Sequence, residues 1–142
     1  MYERIVVGTD CSERSQQAVD QAASLALLCD AELALVQGCG SPIVGVPMFV
    51  GDLSVNPELL TEGAEERLEA IAAPLRSQGL RVTVHPVAES GHAALCKTAA
   101  DVDADLIVVG NRGMTGAGRF LGSVPNAVTH QAPCSVLIVT TD

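Results

Sequence analysis

Aromatic side chains are almost missing from this chain: they make up 2% of it, with one Tyr, two Phe and no Trp. That excludes a core or binding face built on large rings. With hydrophobic residues at 48%, the interior must be aliphatic, made of Val, Ile, Leu and Ala. Such an interior suits a parallel sheet covered by Ala-rich helices. Cations are scarce as well: 8 Lys and Arg stand against 17 Asp and Glu, a formal net charge of −9. A surface that negative repels nucleic acid and anionic membrane, so neither is expected as a partner. It also repels phosphate at long range, so any phosphate site must be local. No apolar run reaches the ~18 residues of a membrane-spanning helix. Met1-Tyr2-Glu3-Arg4 leads straight into an apolar segment with no targeting stretch before it. The expected location is therefore cytoplasmic.

Recognisable catalytic constellations are lacking too. The five cysteines (Cys11, Cys29, Cys39, Cys96, Cys134) include no CxxC and no His/Cys pair at metal-ligand spacing. They read as reduced thiols, and Cys29, Cys96 and Cys134 fall in apolar patterns where Cys acts as a small hydrophobe. His85, His92 and His130 are scattered and read as surface side chains. No Ser–His–Asp set, paired carboxylates or Cys–His nucleophile is indicated, so efficient catalysis is not expected.

What is present is a regular alternation. The 142 residues predict one domain, 1–142. Apolar runs at Ile5-Val6-Val7-Gly8, 31–37, 105–109 and 134–139, with an alternating, half-exposed run at 80–87 whose Pro86 fits an edge, read as five strands. Helices are predicted from Ser12 to about Cys29, from Asn56-Pro57 to Gly79, from Ser90 or Gly91 to about Val102, and from Ser123 to about Gln131. The strand pattern of 134–139 is nearly continuously apolar, which fits burial on both faces. The 38–55 segment has no clear period and reads as a long functional loop. Strand–helix alternation predicts an α/β fold: a single-domain, doubly wound, five-stranded parallel sheet of order 3-2-1-4-5, flanked by four helices.

The stretch richest in chemistry is Gly110-Asn111-Arg112-Gly113, followed by Gly122-Ser123. Glycines between an apolar strand and a helix start expose backbone N–H groups, and with the helix's positive end they make an anion site. Gly113 to Phe120 outlines a Walker A loop but has Arg119 and Phe120 in place of Lys and Ser/Thr, so a P-loop NTPase is excluded. The glycine spacing, and the lack of an acid at a second strand, also exclude a dinucleotide-binding dehydrogenase. Thr9-Asp10-Cys11-Ser12, after the first strand, offers a carboxylate for a ribose hydroxyl or a metal, and equally reads as a plain helix cap. In the order 3-2-1-4-5, strand order reverses between strands one and four, where both motifs sit.

Together these blocks resemble the universal stress protein family. The resemblance spans the chain: Ile5-Val-Val-Gly-Thr-Asp-Cys-Ser12, Ala104-Asp-Leu-Ile-Val-Val-Gly110, Gly122-Ser-Val-Pro125 and Ala132-Pro-Cys-Ser-Val-Leu-Ile-Val139. It implies an ATP-binding, nucleotide-dependent stress-response switch, with at most slow hydrolysis. ATP-binding members carry Gly-x2-Gly-x9-Gly-Ser/Thr; Gly110, Gly113, Gly122 and Ser123 follow it with a middle gap of eight. The resemblance assigns ribose or Mg to Asp10. It gives the adenine side to Gly8, Thr9, Gln37 and Gly38, and the phosphates to Gly110, Gly113, Gly122, Ser123 and Val124. It also implies a homodimer through Cys134 to Val139. Two further expectations stay open: a cyclic-AMP-binding protein, and a dimeric interaction protein that binds no nucleotide.

Overall fold

The computed structural model describes residues 1–40, 57–111 and 123–141. The strands are β1 (Arg4–Gly8), β2 (Glu32–Gly38), β3 (Arg81–Val87), β4 (Leu106–Gly110) and β5 (Ser135–Val139). The helices are α1 (Glu13–Cys29), α2 (Pro57–Leu60), α3 (Ala64–Ser77), α4 (Gly91–Asp101) and α5 (Ser123–Gln131). The sheet order is β3-β2-β1-β4-β5, parallel throughout, as expected.

Strand alternation sorts the core into two layers. Ile5, Val7, Leu33, Leu35, Leu106 and Val108 face α1 and α3. Val6, Ala34, Val36, Ile107 and Val109 face α4 and α5. Both faces of β1, β2 and β4 are thus covered, which is why their sequences read as continuous apolar runs. Among the described residues no helix is long and apolar enough to cross a membrane.

Helix α1 begins where Ser12 Oγ accepts from Ser15 N at 3.2 Å. It ends at Asp30, in the left-handed region at φ 56°. The expected helix from 57 to 79 is two helices, α2 and α3. Gly63, at φ +76°, interrupts it, and Ala64 N donates to Thr61 O at 3.0 Å to close the turn. The apolar spacing of Leu60, Ala64 and Leu68 runs across this break, so periodicity alone does not show it.

The sheet's edges differ. On β3, the Arg76 guanidinium donates from Nε and Nη2 to Val82 O at 3.1 and 2.8 Å. Pro86, also on β3, has no N–H to offer. At the other edge, β5 leaves Leu137 36% exposed. The double-faced burial expected for 134–139 is therefore not met within one chain.

Candidate functional site

Outside the carboxyl ends of β1 and β4, where strand order reverses, lies a cavity of about 790 Å³. Open parallel sheets bind ligands at this place, and pockets for small molecules span roughly 300–1,000 Å³. Gly8, Thr9, Asp10, Gly38, Gly110 and Val124 all line it. Val36, Leu95 and Val109 give it an apolar wall.

The β1–α1 turn is held by its own side chains. Thr9 N donates to Val36 O at 2.9 Å, continuing the ladder one residue past β1. The Thr9 hydroxyl, on a buried residue, shares a 2.9 Å hydrogen bond with Ser15 Oγ and accepts from Cys11 N at 2.9 Å. Asp10 Oδ1 accepts from Ser12 N at 2.9 Å. Cys11 sits in the left-handed region at φ 66°, a conformation that favours glycine. Burial pushes its thiol above the usual cysteine range, against the opposing pull of Arg67. Burial raises Cys39 in the same way, again against Arg67. Neither is tuned as a thiolate nucleophile.

Three helices start at the cavity. Ser12, Arg14 and Ser15 belong to the N-terminal end of α1, Gly91 to α4, and Val124 and Pro125 to α5. Helix N-termini carry partial positive charge, so their convergence favours an anion despite the acidic surface. Close packing fixes two of the walls. A Cβ at Gly38 would lie 2.7 Å from Gly91 Cα, so the end of β2 has no room for a side chain where α4 begins. A Cβ at Gly110 would lie 3.1 Å from Thr141 Cγ2. Thr141 is itself pinned, since its N and Oγ1 donate to Asn111 Oδ1 at 2.8 and 3.1 Å. Asn111 N donates in turn to Val139 O at 2.9 Å.

Gln37 stands apart from the other candidate residues. Strand alternation turns its side chain to the opposite face of the sheet, where Oε1 accepts from Cys11 Sγ at 3.6 Å. Ser123 opens α5. Gly113, Gly122 and the 41–55 part of the long loop lie outside the described residues. Cavity residues that sequence reasoning missed include Arg14, Ser15, Gly91, Leu95, Pro125 and Thr141. Arg14 and Ser15 carried a signal, since they follow a cap residue at a strand's carboxyl end. Thr141 carried none, because its place depends on the distant Asn111. Among the described residues no group of three or more His, Cys, Asp or Glu is placed to hold a metal.

Fold and cavity together define an open, doubly wound α/β protein with a crevice at its topological switch point. Residues 1–140 match the model of the universal stress protein family. The chain belongs to that family. It is 35% identical over 145 residues to universal stress protein Rv1636 of Mycobacterium tuberculosis, covering 99% of this chain and 97% of that one. A universal stress protein crystallised in complex with cAMP is 33% identical, with a TM-score of 0.71 and coverage of 97% and 96%. The structure of hypothetical protein MJ0577 is 28% identical, with a TM-score of 0.74 and coverage of 100% and 98%.

Proposed function

We propose that the chain binds an adenine nucleotide in the crevice and acts as a nucleotide-dependent switch in the stress response. The observation that carries this is the cavity of about 790 Å³ onto which α1, α4 and α5 point their N-termini, beside the Asp10 turn. In this reading ATP is the ligand. Asp10 meets the ribose, Gly8, Thr9 and Gly38 flank the adenine, and Gly110, Gly113, Gly122, Ser123 and Val124 take the phosphates. Gln37 contributes through its backbone alone. Asp10 is one carboxylate, and Mg²⁺ is commonly held by one or two carboxylates plus nucleotide phosphates. It therefore fits as a Mg²⁺ ligand only when a nucleotide is bound. No Lys or His lines the cavity among the described residues. Hydrolysis without a positioned base or phosphate-binding Lys is slow, below the ~1 s⁻¹ at which ordinary enzymes begin.

Cyclic AMP is the second reading, favoured by the 33% identical relative solved with it. Calorimetric titration of nucleotide-stripped protein with Mg-ATP and with cyclic AMP separates the two. Saturable micromolar binding of either supports the switch. No heat from either up to millimolar concentration, at two temperatures, leaves the nucleotide-independent interaction protein.

The chain pairs as a homodimer through 134–139 in this reading. Support comes from the edges: Arg76 occupies a carbonyl of β3, while β5 exposes Leu137. Light scattering behind size exclusion gives the mass that tests it.

A further inference from the structure

The cavity's charged lining, among the described residues, consists of Asp10 and Arg14. Arg14 stands in the first turn of α1, two residues after the cap Ser12. That is the wrong place for a cation by local rules. The positive end of a helix disfavours Arg, typically by about 0.3–1 kcal/mol. Glu13, beside it, is the residue type this turn prefers. Where a residue breaks a local rule at the mouth of a cavity, a functional site is the place to look. Arg14 is an exposed residue that lines this cavity.

We propose that Arg14 is a specificity-determining residue of this crevice, pairing with the phosphate of a bound nucleotide and selecting phosphorylated over unphosphorylated nucleosides. The proposal rests on the nucleotide reading above. Its chemistry is direct. A guanidinium presents a planar fork that matches two phosphate oxygens, and such charge-assisted pairs are stronger than neutral hydrogen bonds. The chain's net charge of −9 makes a local cation more necessary, because the surrounding field repels the ligand's anionic end. The α1 N-terminus adds to the same positive potential, so Arg14 and the helix end act on one anion together.

The test compares wild type with Arg14→Gln, using adenosine, cyclic AMP and ATP as probes. Arg14→Gln is expected to weaken cyclic AMP and ATP by about 10- to 100-fold, the range of a lost charged hydrogen bond. Adenosine affinity stays within about twofold, and Arg14→Lys recovers part of the loss. Raising salt weakens phosphate ligands more in wild type than in Arg14→Gln. Equal loss for adenosine and the phosphorylated ligands would show a merely structural role and overturn the proposal. So would unchanged affinity for all three. Failure of wild type to bind any of them would instead sink the nucleotide reading and this proposal with it.

Discussion

Asn111 shows how much one buried amide can hold. Its Oδ1 accepts both polar hydrogens that Thr141 offers, at 2.8 and 3.1 Å, with both residues about 95% buried. This fixes the segment after β5 against the end of β4 and so sets one cavity wall. Asn111→Ala strands the Thr141 N–H inside, where an unsatisfied donor costs about 1–3 kcal/mol. The expected outcome is a loss of that size in chemical denaturation, together with weaker ligand binding. Asn111→Ala with full stability would show that water or backbone replaces the amide. His85 makes a different prediction. Burial lowers its pKa from the ordinary value near 6.5, with the charge of Asp101 partly opposing. The folded state thus prefers the neutral ring, whose Nε2 lies 2.8 Å from Thr83 Oγ1. Below about pH 6.5 the unfolded chain binds this proton more readily than the folded one. The stability His85 contributes is therefore complete above that pH and is lost as pH falls through the lower, folded value. The thermal midpoint should drop between pH 7.5 and 5.5, and His85→Gln should shrink the drop; an equal drop in the variant would assign it to other groups.

At the scale of elements, the break at Gly63 shows where sequence pattern stops being informative. Gly63 sits at φ +76°, and a Cβ there would lie 3.0 Å from Arg67 Nη1. Gly63→Ala should therefore cost about 1–2 kcal/mol, the penalty for an L residue in the left-handed region. A continuous helix over 57–77 would have the opposite sign, because alanine stabilises a helix interior by about 1 kcal/mol over glycine. One denaturation curve decides between them. Periodicity misses the break because Leu60, Ala64 and Leu68 keep helical spacing on both sides of it. It succeeds for α1 and for β1, β2 and β4, where Ser12, the Ala-rich face and the aliphatic runs leave a single consistent arrangement. The order β3-β2-β1-β4-β5, joined by crossovers that are right-handed by rule, places the Asp10 turn and the end of β4 in one crevice. Thr141 was not legible as a cavity residue for a different reason. Its role comes from tertiary placement: the Asn111 amide meets a segment that follows the next strand. Gln37 adds the converse case, where the alternation that makes β2 readable also carries its side chain away from the cavity.

For the whole molecule, charge and edge geometry pull against each other. Each chain carries −9, so two copies repel, and the repulsion weakens with salt. In the proposed homodimer, association through β5 is driven by apolar contact, and Leu137, 36% exposed in one chain, is the apolar β5 side chain left most open to be covered. In a twofold interface each contact counts twice. Fully burying an aliphatic side chain is worth about 1.5–3 kcal/mol; with 36% of Leu137 left to cover, two copies contribute about 1–2 kcal/mol, so losing them raises the dimer dissociation constant by about 6- to 40-fold. Leu137→Lys separates the two forces, because it removes apolar area while making the protomer less negative. If the apolar edge drives pairing, sedimentation should show Leu137→Lys as monomer at concentrations where wild type is dimer. If charge repulsion dominates, the lysine should tighten the pair. Salt gives the complementary reading: from about 0.1 to 1 M the screening length falls from about 10 to 3 Å, and a dimer formed as proposed should tighten. A monomer at every salt and concentration would place the exposed face of β5 outside any self-association and return its Leu137 to the ordinary apolar fraction of a protein surface.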